Sequence, residues 1–85
     1  MAYRVQIKAS ALRALGRLEA ETRARLLVAI SGLSDEPRPS GCRKIAGVAG
    51  LWRIRVGSYR IVYQIWEKEL VVLVVKVGHR SDVYR

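Results

Sequence analysis

A single cysteine, Cys42, leaves this 85-residue chain without an internal disulfide, so a reducing compartment is expected. Cys42 itself reads as a small structural filler, because the one histidine, His79, lies far along the chain with no supporting nucleophile motif. One His, one Cys and scattered acids give no ligand cluster at a recognised metal spacing, and no metal or other cofactor is expected. Gly47-Val48-Ala49-Gly50 lacks the Lys-Ser/Thr of a phosphate-cradling loop. The longest apolar run, Leu70 to Val75, is six residues and far short of a membrane span. The opening Met-Ala-Tyr-Arg-Val-Gln-Ile has no apolar core of signal-peptide length, so a cytoplasmic location away from membranes is the expectation. No internal repeat, low-complexity tract or linker breaks the chain, which predicts one domain over residues 1–85.

Negative charge is the other scarcity: seven Asp and Glu face sixteen Lys and Arg, for a net charge of +9. Residues 41–85 carry nine cations and three acids, so the second half supplies two-thirds of the excess. Such a field attracts RNA, DNA, anionic membrane or an acidic protein, and the charge alone selects none of them. Twelve of the sixteen cations are arginine, whose planar fork suits phosphate.

The apolar pattern predicts β-α-α-β-β-β, a small α+β domain with an antiparallel sheet and a helical hairpin on one face. Tyr3, Val5 and Ile7 alternate with polar residues as a first strand. Ser10 is placed to cap a helix running through Leu12 and Leu15 to about Gly16. A second helix, about Glu19 to Leu33, carries Leu26, Ile30 and Leu33 on one stripe and stops at Asp35-Glu36-Pro37-Arg38-Pro39. A loop with a short extended piece around Lys44 to Ala46 follows, then strands over 51–56, 59–66 and 70–77. The last of these, apolar on both faces, is expected at the centre of the sheet.

Gly57-Ser58 is a two-residue turn between alternating segments, which pairs Val56 with Tyr59, Arg55 with Arg60 and Arg53 with Val62. Trp52, Ile54, Val56, Tyr59, Ile61 and Tyr63 then share a core face. Arg53, Arg55, Arg60, Val62 and Gln64 share the other. Arg55 opposite Arg60 sets cation against cation, a destabilising pair that an anionic ligand would relieve. A solvated face would usually mix signs, and this one has no carboxylate within the hairpin. The tail, Gly78-His79-Arg80-Ser81-Asp82-Val83-Tyr84-Arg85, adds an imidazole, a guanidinium and a phenol able to stack on a base or exchange a proton. Asp82 is expected to serve as a tail hydrogen-bond partner.

The string Gly50-Leu51-Trp52-Arg53-Ile54-Arg55-Val56-Gly57-Ser58-Tyr59-Arg60-Ile61-Val62-Tyr63, followed by Val77-Gly78-His79-Arg80 and Asp82-Val83-Tyr84, resembles the RelE/ParE superfamily of type II toxin-antitoxin toxins, in its RelE branch. The likeness spans the chain. It implies a microbial RNase fold and a ribosome-dependent mRNA interferase, an endoribonuclease that cleaves the message in the A site. It further implies RNA binding through Lys44, Arg53 and Arg55, with Arg60 at the scissile phosphate and Arg80 on transition-state charge. Tyr84 falls on a terminal tyrosine that stacks on mRNA and serves as general base, and His79 lies near a histidine with acid-base duty in some relatives. Arg80, His79 and Lys44 remain alternatives for the general acid. The implied partners are a cognate antitoxin with an acidic toxin-facing segment, the ribosome with its RNA, and mRNA. Two departures are visible: the sequence stops at Arg85, before the C-terminal helix of some relatives, and the spacing from Arg80 to Tyr84 is shorter than in some of them. The competing expectations are a ParE-like, non-enzymatic gyrase inhibitor on the same fold and a binding module for an acidic protein.

Overall fold

The structure is a computed structural model, and it describes residues 2–79. Its elements are β1 (Arg4–Ile7), α1 (Ala9–Gly16), α2 (Ala20–Gly32), β2 (Arg43–Lys44), β3 (Leu51–Val56), β4 (Tyr59–Trp66) and β5 (Val71–His79). They form a five-stranded sheet in the order β1-β5-β4-β3-β2, with both helices on one face. The α+β domain with a helical hairpin against a sheet is therefore what the pattern predicted. Two details differ. The sheet is mixed, because β1 runs parallel to β5, with Arg4 opposite Val71 and Ile7 opposite Val74. Both helices and the three strands β2, β3 and β4 lie between them in the chain, more than the dozen or so residues that a parallel pairing requires. The extended piece near Lys44 is a two-residue edge strand, Arg43–Lys44, set against Arg53 and Trp52. Both of its residues are charged and exposed, which blunts the edge against further pairing.

β5 is paired on both sides, and Val71, Val72, Val74 and Val77 are buried, as its two-faced apolarity requires. The core interlocks Ala11 and Leu15 of α1, Leu26 and Ile30 of α2 and Leu33 directly after it with Ile54, Ile61, Tyr63, Ile65, Val72, Val74 and Val77. The α2 stripe is as expected. In α1 the expectation needs correcting at two residues. Ser10 does not cap: the β1 ladder continues to the Lys8 amide, which donates to the Val74 carbonyl, so the helix starts at once with Lys8 as its first flanking residue. Leu12 points outward, 56 % exposed, and Ala11 takes the core position beside Leu15.

The end of the sheet remote from the Gly57-Ser58 turn is tied by polar contacts. Tyr3 and Ser34 exchange hydrogen bonds: the Tyr3 amide donates to the Ser34 carbonyl at 2.7 Å, and the Ser34 hydroxyl donates to the Tyr3 carbonyl at 2.7 Å. Glu67 accepts from the Tyr3 hydroxyl at 2.8 Å and pairs with Arg38, whose guanidinium lies 5.0 Å from the Trp52 ring centre. The Arg38 guanidinium, helped by the Tyr3 hydroxyl, holds the Glu67 carboxyl below its ordinary range. This contribution is present above the usual glutamate pKa and is lost as acid protonates Glu67. Deeper in, the fully buried Tyr63 donates its hydroxyl to the Pro37 carbonyl at 2.7 Å. Burial, with the Cys42 thiol adding to it, pushes the Tyr63 phenol well above its usual range, so it stays a neutral donor. Tyr63→Phe leaves the Pro37 carbonyl unsatisfied and is expected to cost about 1–3 kcal/mol. Urea unfolding checks this through a lower midpoint at unchanged slope; an unchanged midpoint would contradict it.

Candidate nucleic-acid interface

Gly57 adopts φ +60 at the first turn position, a conformation that a two-residue hairpin with glycine in that place requires. The register follows as expected: Val56 opposite Tyr59, Arg55 opposite Arg60, Arg53 opposite Val62. Odd-numbered residues of β4 face the helices and even-numbered ones face away. Two rows of cations cross the outer face. One row runs Arg55, Arg60, Gly78, and the next runs Arg43, Arg53, Val62, Lys76. Directly paired residues lie about 4.5–5.5 Å apart between Cα atoms, so five cations occupy two adjacent rows. Val62 is buried, 5 % exposed, between Arg53 and Lys76, whose apolar stems can flank it. At Gly78 no side chain projects beside Arg60.

Two of these cations escaped the sequence pattern. Lys76 sits in an otherwise apolar strand, and simple alternation from Val74 would send it to the helix side. An irregularity of register between Val62 and Tyr63 inserts one extra residue on β5, so that Tyr63 pairs with Val74 while Val62 pairs with Lys76. This bulge turns Lys76 outward and Val77 into the core. Arg43 joins because the edge strand begins there, opposite Arg53. Its only signal was an Arg-Lys pair ahead of a glycine-rich stretch.

The remaining candidates separate. Lys44 is opposite Trp52 and therefore lies on the helix-facing parity of the edge strand, exposed and away from the two rows. His79 is opposite Tyr59, and its ring meets the Tyr59 ring edge-on, 5.7 Å between centres at 80°. With Ala14, Arg17 and Leu18 these two rings border a shallow depression on the helix side, so His79 does not join Arg60. Arg80 and Tyr84 lie outside the described residues. Among the described residues, no group of three or more His, Cys, Asp or Glu comes together in a way that could hold a metal ion, and no helix is long and apolar enough to cross a membrane.

The chemistry this arrangement offers is the binding of a polyanion: paired guanidinium forks on a rigid sheet at the spacing of adjacent strands. Arg55→Gln removes half of a directly paired like-charge couple. Stability at low salt is expected to rise by about 0.2–1 kcal/mol, and the gain should shrink as salt screens the wild type. The same variant should leave a heparin column at lower salt. Lower stability combined with unchanged heparin retention would contradict the reading of the pair as a binding device.

The family model described as "ParE toxin of type II toxin-antitoxin system, parDE" matches residues 5–84. Toxin RelG of Mycobacterium tuberculosis is 34 % identical over 86 residues, covering 100 % of this chain and 99 % of that protein. The mRNA interferase toxin RelE of Escherichia coli is 32 % identical over 88 residues, covering 99 % of this chain and 92 % of the relative. Among solved structures, the archaeal RelE-RelB complex from Pyrococcus horikoshii contains a chain with a TM-score of 0.84 at 31 % identity, over 98 % of this chain and 100 % of that one.

Proposed function

The chain belongs to the RelE/ParE superfamily of toxins from type II toxin-antitoxin systems, and from that premise we propose that it is a ribosome-dependent endoribonuclease that cuts mRNA in the A site. The observation that carries the reading is the pair of cation rows on the outer face, with Arg55 and Arg60 side by side and, among the described residues, no carboxylate on the outward-facing side of the strands. In this reading the RNA 2′-oxygen attacks the adjacent phosphorus, the bond to the 5′-oxygen breaks, and a 2′,3′-cyclic phosphate and a 5′-hydroxyl result. The 2′-proton passes to a base, and the leaving oxygen receives a proton from an acid. Arg60 holds the scissile phosphate and neutralises charge building on its oxygens. Arg53, Arg55 and Lys76 hold the flanking backbone.

Arg80 and Tyr84 complete the proposed site from the segment directly after β5, whose Gly78 sits opposite Arg60. Arg80 supplies further transition-state charge and Tyr84 acts as base, a duty that requires cations close enough to favour a phenolate. Tyr63, held neutral and buried on the other face, is not available for that duty. In this proposal Arg80 donates the proton to the leaving oxygen, a choice supported by the contact of His79 with Tyr59 on the helix side.

The inhibitor in this proposal is a cognate antitoxin. Leu12 of α1 and Leu27 and Val28 of the second helix are exposed apolar residues on the outside of the helical hairpin, at 56, 40 and 73 %. They offer an amphipathic segment a place to fold on binding, while acidic residues of the same partner complement the cations. The site of action is the cytoplasm, where the ribosome presents the message.

Purified protein is expected to cleave message at A-site codons on programmed ribosomes, read by primer extension, and to leave naked RNA nearly intact. Arg60→Ala should slow cleavage by roughly a hundredfold or more. Full activity of a variant carrying both Arg60→Ala and Tyr84→Phe would contradict the site assignment. A second reading draws on the matching ParE family model: a non-enzymatic block of DNA gyrase. Inhibited supercoiling with intact mRNA would favour it.

A further inference from the structure

The alternation that turns Arg60 and Val62 outward continues through Gln64 to Trp66, the last residue of β4. Trp66 is 45 % exposed, a large aromatic surface left in water at the end of a strand whose alternate residues are packed. Its indole N–H donates to the Gln64 side-chain oxygen at 3.0 Å, which fixes the ring on the cationic face and restrains its rotation. Across the sheet in the same row stand Val71 and then Arg4, a sixth outward-facing cation. Among the described residues, the outward-facing strand positions include no acid from Arg4 on β1 to Arg43 on β2.

Trp66 lies six residues from Arg60 along one strand, about 20 Å at the usual rise. That separation exceeds the reach of a single phosphodiester unit and matches a short run of extended single strand. We propose that Trp66 stacks on a nucleobase of the RNA strand whose backbone the arginine rows hold, so that the outer face is a continuous single-strand track. An aromatic platform at one end of a cationic groove is the arrangement by which proteins hold single strands without reading sequence, because every base offers a flat face. A polyanionic backbone suits the cations and a flat base suits the indole plane, and a nucleic acid strand offers both together. This inference rests on the RNA-binding reading above and extends it to a residue outside the proposed chemistry.

The test uses the full chain and a 2′-O-methylated oligoribonucleotide, which has no nucleophile and cannot be cut. Indole fluorescence is titrated with a dinucleotide and with an oligonucleotide long enough to span the strand. The second tryptophan, Trp52, lies on the opposite face beneath Arg38, and Trp66→Phe assigns the signal. The longer oligonucleotide is expected to quench Trp66 and the dinucleotide is not. Trp66→Ala should weaken the longer ligand by about tenfold or more while leaving the dinucleotide unaffected, and Trp66→Phe should retain most of the affinity. Equal affinity of wild type and Trp66→Ala for the longer ligand overturns the stacking role and leaves the arginine reading standing. Absence of binding by the wild type to either ligand overturns both. Loss of antitoxin capture by Trp66→Ala, with RNA affinity unchanged, would make Trp66 a protein contact and overturn the inference.

Discussion

The Gly57-Ser58 turn fixes the register of β3 against β4, and with it which side chains meet the helices and which face away. A slip of one residue would exchange the two sets, driving Arg53, Arg55 and Arg60 toward Leu15 and Leu26 and stranding Ile54 and Ile61 in water. Burying unpaired guanidinium groups would cost far more than a domain of this size has in reserve. The apolar core therefore specifies the cationic face as strictly as it specifies itself. Repulsion between Arg55 and Arg60 is small beside that constraint, and the sheet can carry it.

Polar contacts divide along the same lines. The helix-facing side and the far end of the sheet use their polar groups internally: Tyr63 with Pro37, Tyr3 with Ser34, Arg38 with Glu67 and Trp52. These contacts hold the segment after α2 against the strand ends and leave β3, β4 and β5 a stiff platform. Outward-facing cations are placed by backbone pairing, so their positions are set before any ligand arrives. Such preorganisation lets a charged face stabilise a transition state without reorganising at the moment of reaction.

Much of this was readable beforehand because the residues report local rules. Glycine followed by serine between alternating segments names the hairpin and its pairs. The stripe of Leu26, Ile30 and Leu33 names the buried side of α2, and a strand apolar on both faces names the centre of the sheet. What stayed hidden depends on contacts distant in sequence. The bulge that turns Lys76 outward answers to packing of Val77 under the helices, with no glycine to announce it. Leu70 takes a positive φ of 56 in a turn written Glu-Lys-Glu-Leu, where a left-handed residue would ordinarily be glycine or asparagine. Leu12 and Ala11 compete for one core position, and helix rotation, set by the direct entry from β1, decides for the smaller. His79 was carried toward the site by the family likeness, whereas strand parity sends it to Tyr59. Trp66 needed only the alternation followed one step past Gln64.

In the proposed function, several cations on one face of the sheet jointly hold a single-stranded polynucleotide backbone. The most direct measure of that hold is the salt dependence of affinity for an uncleavable oligoribonucleotide. With Arg53, Arg55, Arg60 and Lys76 each displacing a condensed counterion, the plot of log affinity against log salt is expected to fall with a slope of about −3. A slope near zero, or one unchanged when Arg53 and Arg55 are both replaced by glutamine, would contradict the account.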